Sequence, residues 1–139
     1  MPSSSDVRAT IPVGMRPKWV AITPTGSRAY VTLEDVQAGG DAGGVAVIDT
    51  QTNMVTTTIT VGSDPSGVVI APDGHHAYVP NWDSSRGRGV VSVIDTDTNA
   101  VIDSITVSGP GGGPNGVAIT PNGRHVYVAT DQELQILNG

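Results

Sequence analysis

Residues with useful chemistry collect in the polar stretches between apolar runs. Arg16 and Lys18 precede Trp19, and Asn81, Trp82, Asp83, Arg86 and Arg88 follow one another closely. Asp64, Asn115 and Asp131 occupy similar stretches elsewhere. Together these residues suit a polar, aromatic-walled mouth for a small ligand, peptide or glycan, since indole offers a broad apolar face and the charged groups fix orientation. Asp64, Asp83 and Asp131 are the carboxylates that could act as acids or bases. The plainer reading is that Trp19 fills space left by glycines, Trp82 folds its own loop, and the charges, with Glu34, Asp35 and Asp41, are solvated.

Other constellations carry less. His75, His76 and His125 fall in turn positions where related segments hold Ser27, Arg28 and Arg124, so no metal or general base is read from them. Asp95-Thr-Asp97-Thr-Asn99 begins like a calcium loop, but it lacks the following glycine and the distal Glu. Gly109–Pro114 is glycine-rich yet leads into a strand, which gives phosphate no helix terminus. No Ser, His or Cys catalytic motif occurs, so catalytic residues, metal sites and cofactors are all expected to be none.

The elements that position these residues repeat. Trp19-Val-Ala-Ile-Thr-Pro-Thr-Gly-Ser-Arg-Ala-Tyr-Val31 returns as Gly67–Val79 and again as Gly116–Val128. Val-x-Val-Ile-Asp-Thr-x-Thr-Asn appears at Val45–Asn53 and at Val91–Asn99, and Val-x-x-x-Ile-x-Val-Gly at Val7–Gly14 and Val55–Gly62, with a looser copy at Val101–Gly109. Internal repetition of this length signals a repeat architecture. Each unit reads as four strands: Val-Ala-Ile-Thr, a Pro-x-Gly turn, Ala-Tyr-Val, then Val-x-Val-Ile, an Asx turn, and an alternating Val/Ile strand. Neighbouring β-branched residues in the third strand suit a sheet covered on both faces. No segment carries helical periodicity.

These motifs resemble the YVTN β-propeller repeat, whose pattern Pro65–Ile105 matches closely, and the resemblance extends from Val7 to Asn138. It implies an all-β fold with three four-stranded blades per chain. The expected divisions are 1–6 as a disordered segment, 7–14 as an outer strand for a neighbouring chain, 15–62 and 63–109 as two blades, and 110–139 as three strands of a third. Three sheets closed into a ring would face one another across about 19 Å at the second strand, whereas six would approach to about 11 Å, near the usual sheet spacing of ~10 Å. The expectation is therefore a six-bladed ring formed by a homodimer, with a nine-bladed homotrimer less favoured, and the partner is a second copy of the chain.

A formal charge of −6, with Lys18 the single lysine, argues against generic attraction to nucleic acid or anionic lipid. Cysteine is absent, so disulfides and thiolate metal sites are excluded. No export signal or membrane-spanning run is visible, and the compartment stays open, although the family resembled is often extracytoplasmic. The leading functional expectation is a binding or interaction module presenting its variable loops to a ligand. The balance falls against an enzyme. The alternatives are a small-molecule lyase or hydrolase working at the channel mouth, and a propeller fragment without a selected ligand.

Overall fold

The computed structural model describes residues 6–36, 42–110 and 112–139. The expected disordered segment 1–6 therefore lies, apart from Asp6, outside the described residues, as does Asp41. The chain forms eleven antiparallel strands among the described residues: β1 (Met15–Ile22), β2 (Arg28–Asp35), β3 (Gly44–Asp49), β4 (Met54–Thr60), β5 (Val69–Ile70), β6 (His76–Asp83), β7 (Arg88–Asp95), β8 (Ala100–Ser108), β9 (Pro114–Ile119), β10 (His125–Thr130) and β11 (Leu134–Asn138). They make three sheets, ordered β1-β2-β3-β4, β5-β6-β7-β8 and β9-β10-β11.

Local chemistry explains the connections. In the turns after β1, β5 and β9, the amides of Gly26, Gly74 and Gly123 donate to Thr23, Ala71 and Thr120 carbonyls at 2.8 Å. Each of these glycines has φ between 75° and 80°, a left-handed conformation in which a side chain is strained. In the turns after β3 and β7, Asp49 and Asp95 accept from the amides two residues on, at 2.8 Å, and Asn53 and Asn99 take the left-handed position.

The sheets stack face to face with the second in the middle. Tyr30, Val45 and Val47 of the first sheet pack with Ala77, Val79 and Ile94 of the second. On the other face of the second sheet, Tyr78, Val91 and Val93 meet Val126 and Val128 of the third. The cover shows in the third strand of each sheet: β7, between two sheets, and β3, between the second sheet and Ile11 with Val13, are buried along nearly their whole length, whereas β11 alternates exposed and half-buried residues. Alternation is what one covered face produces, and continuous burial is what two produce.

The propeller expectation is corrected here. All three sheets are open and uncurled, each ending on free edges, and they do not form a closed ring. A ring needs every sheet to be covered by a neighbour on both faces, and within this chain only the middle sheet is. Val7–Val13, expected as an outer strand, is not a strand; Ile11 and Val13 instead pack over Ala29, Val31, Leu33, Ala46 and Ile48 on the outward face of the first sheet.

Candidate functional site

The candidate site residues all come from the end of the sheets where β1, β5 and β9 begin and β2, β6 and β10 finish. The connection from β4 to β5 runs along this end, where Ser63 and Trp82 exchange backbone hydrogen bonds at 2.8 Å. The structure distributes the residues over three places, one per sheet.

The first is a cleft of about 320 Å³ lined by Lys18, Trp19, Glu34, Asp64, Pro65 and Ser66. Trp19 is 54% exposed, so it plugs nothing in this chain. Glu34 holds the two cations in place, with Arg16 Nη1 at 3.3 Å and Lys18 Nζ at 3.5 Å. Ser66 Oγ is buried with no hydrogen-bond partner among the described residues. Arg16 and Asp64 hold equivalent places before Pro17 and Pro65, and both are left-handed, at φ 52° and 49°. The shared conformation shows that the entries to the first and second sheets take it whatever the side chain. Sequence reasoning placed Glu34 in a solvated loop and overlooked Ser66. The available signal was positional, because Ser66 occupies the place held by Lys18 and Asn115 in the other repeats.

The second place surrounds the end of β6. Asn81 and Asp83 line a groove of about 450 Å³ whose wall is rich in hydroxyls from Thr60, Ser85, Ser92 and Ser104. Asn81 is 1% exposed, and its polar atoms are all engaged. Its Oδ1 accepts from Gly62 N at 3.0 Å, and its Nδ2 donates to Val79 O and to Ser92 Oγ at 2.8 Å each. The Ser85 hydroxyl, donating at 2.6 Å, leads the interactions that hold the Asp83 carboxyl below the ordinary carboxylate range; the Arg86 and Ser85 amides and the Arg86 charge add to it. Arg86 lies 3.8 Å from Asp83, and Arg88 Nε is buried without a partner among the described residues. Trp82 is half-buried and joins the first and second sheets through its backbone.

The third place is simpler. Asn115 Nδ2 donates to Asp131 Oδ1 at 2.7 Å, and Gly113 N donates to Oδ2 at 3.1 Å. These bonds, Asn115 first, lower the Asp131 pKa. The histidines lie at the opposite end, in the turns, where His75 Nδ1 is 3.2 Å from Asp97 Oδ2. Among the described residues no three His, Cys, Asp or Glu side chains are grouped to hold a metal ion, and no helix is long and apolar enough to cross a membrane.

No family model matches the chain, and no curated protein does. A solved structure of hydrazine synthase from Kuenenia stuttgartiensis is similar at 29% identity and a TM-score of 0.80. That likeness covers 96% of this chain and 37% of the hydrazine synthase chain, so the present chain spans little more than a third of its length. The resemblance to YVTN repeats is corrected accordingly, and so are the leading expectations of a ligand-presenting propeller and of a protein that is not an enzyme. The chain is an open antiparallel β-sheet domain that resembles, over nearly all its residues, part of an enzyme.

Proposed function

We propose that this chain is a β-sheet domain of an enzyme acting on a small molecule, and that the cleft between Trp19 and Asp64 is where the domain meets that molecule. The observation that carries the reading is the structural likeness to hydrazine synthase across 96% of the chain. The reading belongs with the small-molecule enzyme alternative rather than with an interaction module.

The chemistry of the cleft favours a small nitrogen compound rich in N–H donors. Glu34 and Asp64 provide carboxylate acceptors, Ser66 Oγ provides a hydroxyl with no partner among the described residues, and the exposed indole of Trp19 offers a face that attracts cations. Asp83 and Asp131 suit a different role. Their lowered pKa values keep them ionised, and a proton donor works best with a pKa near the working pH. Both bond neighbouring amides and side chains outside the cleft, whereas Asp64 lines the cleft with Trp19 and is the carboxylate placed to meet a bound molecule.

Hydrazine is the direct probe. In a Trp82→Phe background, Trp19 is the sole tryptophan, and its fluorescence should change saturably as hydrazine is added. Asp64→Asn should weaken that response about tenfold, the loss of roughly one charge-assisted hydrogen bond. A linear, non-saturating response that is identical in the Asp64→Asn protein would refute the assignment.

A further inference from the structure

The third sheet lacks a strand that the other two have. β3 is followed across the sheet by β4, and β7 by β8, whereas among the described residues nothing lies beyond β11. The apolar side chains on the outward face of this sheet are bare as well, because no sheet of this chain covers them as the second sheet covers β3 and the third covers β7. Leu134 and Ile136 are 61% and 56% exposed, while their counterparts Val45 and Val47 in β3, and Val91 in β7, are fully buried. An open strand edge beside a bare apolar face is a template for pairing with another strand.

The chain also holds one unpaired copy of the sequence that makes such a strand. Val55–Gly62 contains most of β4 and Val101–Gly109 most of β8; Val7–Gly14 has the same Val-x-x-x-Ile-x-Val-Gly spacing, yet Val7–Val13 is not a strand. No backbone hydrogen bond joins Val7–Val13 to another described residue. Pro12, at first sight a strand breaker, fits this role. It corresponds to Thr60, and because the neighbouring Val61 amide donates inward to Gly43 O at 3.0 Å, the residue before it points its own N–H away from β3. A proline there forfeits no bond to the sheet and blocks further growth at the outer side.

Val7–Gly14 cannot serve its own third sheet, because Ile11 and Val13 are seated on the outward face of the first sheet and the whole second sheet lies between. From these observations we propose that the free edge of β11 takes the Val7–Gly14 segment of a second copy of this chain. The segment keeps its seat on its own first sheet and pairs through its free backbone. Transferring the β3–β4 register, in which Val45, Val47 and Ile48 oppose Ile59, Thr57 and Val55, puts Ile11 opposite Leu134, Ala9 opposite Ile136 and Val7 opposite Leu137. The two outward faces brought together are both apolar, with Val20 and Ile22 bare on the first sheet and Tyr127 and Ile136 on the third. Reciprocal donation makes a two-fold dimer.

The chain has no cysteine, so introduced thiols report cleanly. Ile11→Cys and Leu134→Cys proteins, purified separately and then mixed under mild oxidation, should yield a disulfide-linked pair containing one of each. Both positions lie in exposed or half-exposed segments, so folding is preserved. A Met54→Cys and Leu134→Cys mixture is the control, since β4 is not in the proposed contact. The unmodified protein should run in native mass spectrometry at twice 14.2 kDa. A single-chain mass at micromolar concentration, or cross-linking no greater than the control, would overturn the assignment.

Discussion

Replacing Asn81 with leucine keeps the branch at Cγ while removing every polar atom beyond Cβ. Asn81 is 1% exposed, so the groups it serves cannot turn to water instead. Two are left without their partner, the Gly62 amide, which donates to Oδ1 at 3.0 Å, and the Ser92 hydroxyl, which accepts from Nδ2 at 2.8 Å; Val79 O also loses the bond it accepts from Nδ2 at 2.8 Å. Stranding a buried polar group costs about 1–3 kcal/mol, so the substitution should cost about 2–6 kcal/mol in all. For a chain of this length that lowers the melting temperature by about 6–18 °C. Thermal and urea unfolding followed by circular dichroism measure the loss, and faster hydrogen exchange at the Gly62 amide locates it. The measurement separates two roles for a residue first read as ligand-binding. A residue retained for binding at the expense of stability leaves the protein as stable or more stable when made apolar. A loss below about 0.5 kcal/mol, with unchanged exchange at Gly62, would refute the argument that Asn81 ties the two sheets together.

Two further outcomes follow from the same geometry. Tyr30 is fully buried, and its hydroxyl donates to Asn99 Oδ1 at 2.6 Å while accepting from Arg28 Nη1 at 2.9 Å; Tyr30→Phe should therefore cost about 1–2 kcal/mol in urea unfolding. The pH dependence has a sign at each end. Asp83 and Asp131 have folded pKa values below the ordinary 3.8, so their contribution is present above that value and disappears as pH falls through the lowered ones. Asp83→Asn with Asp131→Asn should flatten the acid limb of the stability curve. Tyr30 and Tyr78 have pKa values raised from 10.0, chiefly by burial, so their contribution is full below pH 10 and is lost as pH climbs through the folded values. Unfolding midpoints measured across both limbs, in the parent and the double variant, check these directions.

How far the site could be read from the sequence varies residue by residue. Trp19 stands where the other repeats have glycine, and that contrast alone marked it; the structure places it on a cleft wall. Asn81 was visible as a polar residue beside a tryptophan, but its bonds reach Gly62, nineteen residues earlier, and Ser92, eleven later. Spacing along a chain does not encode such contacts. Glu34 was visible only as one of several loop carboxylates, because its pairing with Arg16 and Lys18 depends on the β1–β2 register, in which Met15 opposes Asp35. The likeness to an enzyme could not be read from any motif, since no catalytic constellation is written into the chain and the relation emerges from the arrangement of strands.

The amino-acid sequence by itself determined where the turns and nearly all the strands fall, Val7–Val13 being the exception. Alternation of Val and Ile, left-handed Gly and Asn positions, and Asx turns are local effects, settled within a few residues. Tertiary structure alone decided how many faces each sheet covers and that the sheets stay open. β3, β7 and β11 carry the same alternation of apolar residues, yet β3 and β7 are buried on both faces and β11 on one. Burial depends on what lies opposite a face, and that is a property of the assembled layers rather than of any one segment.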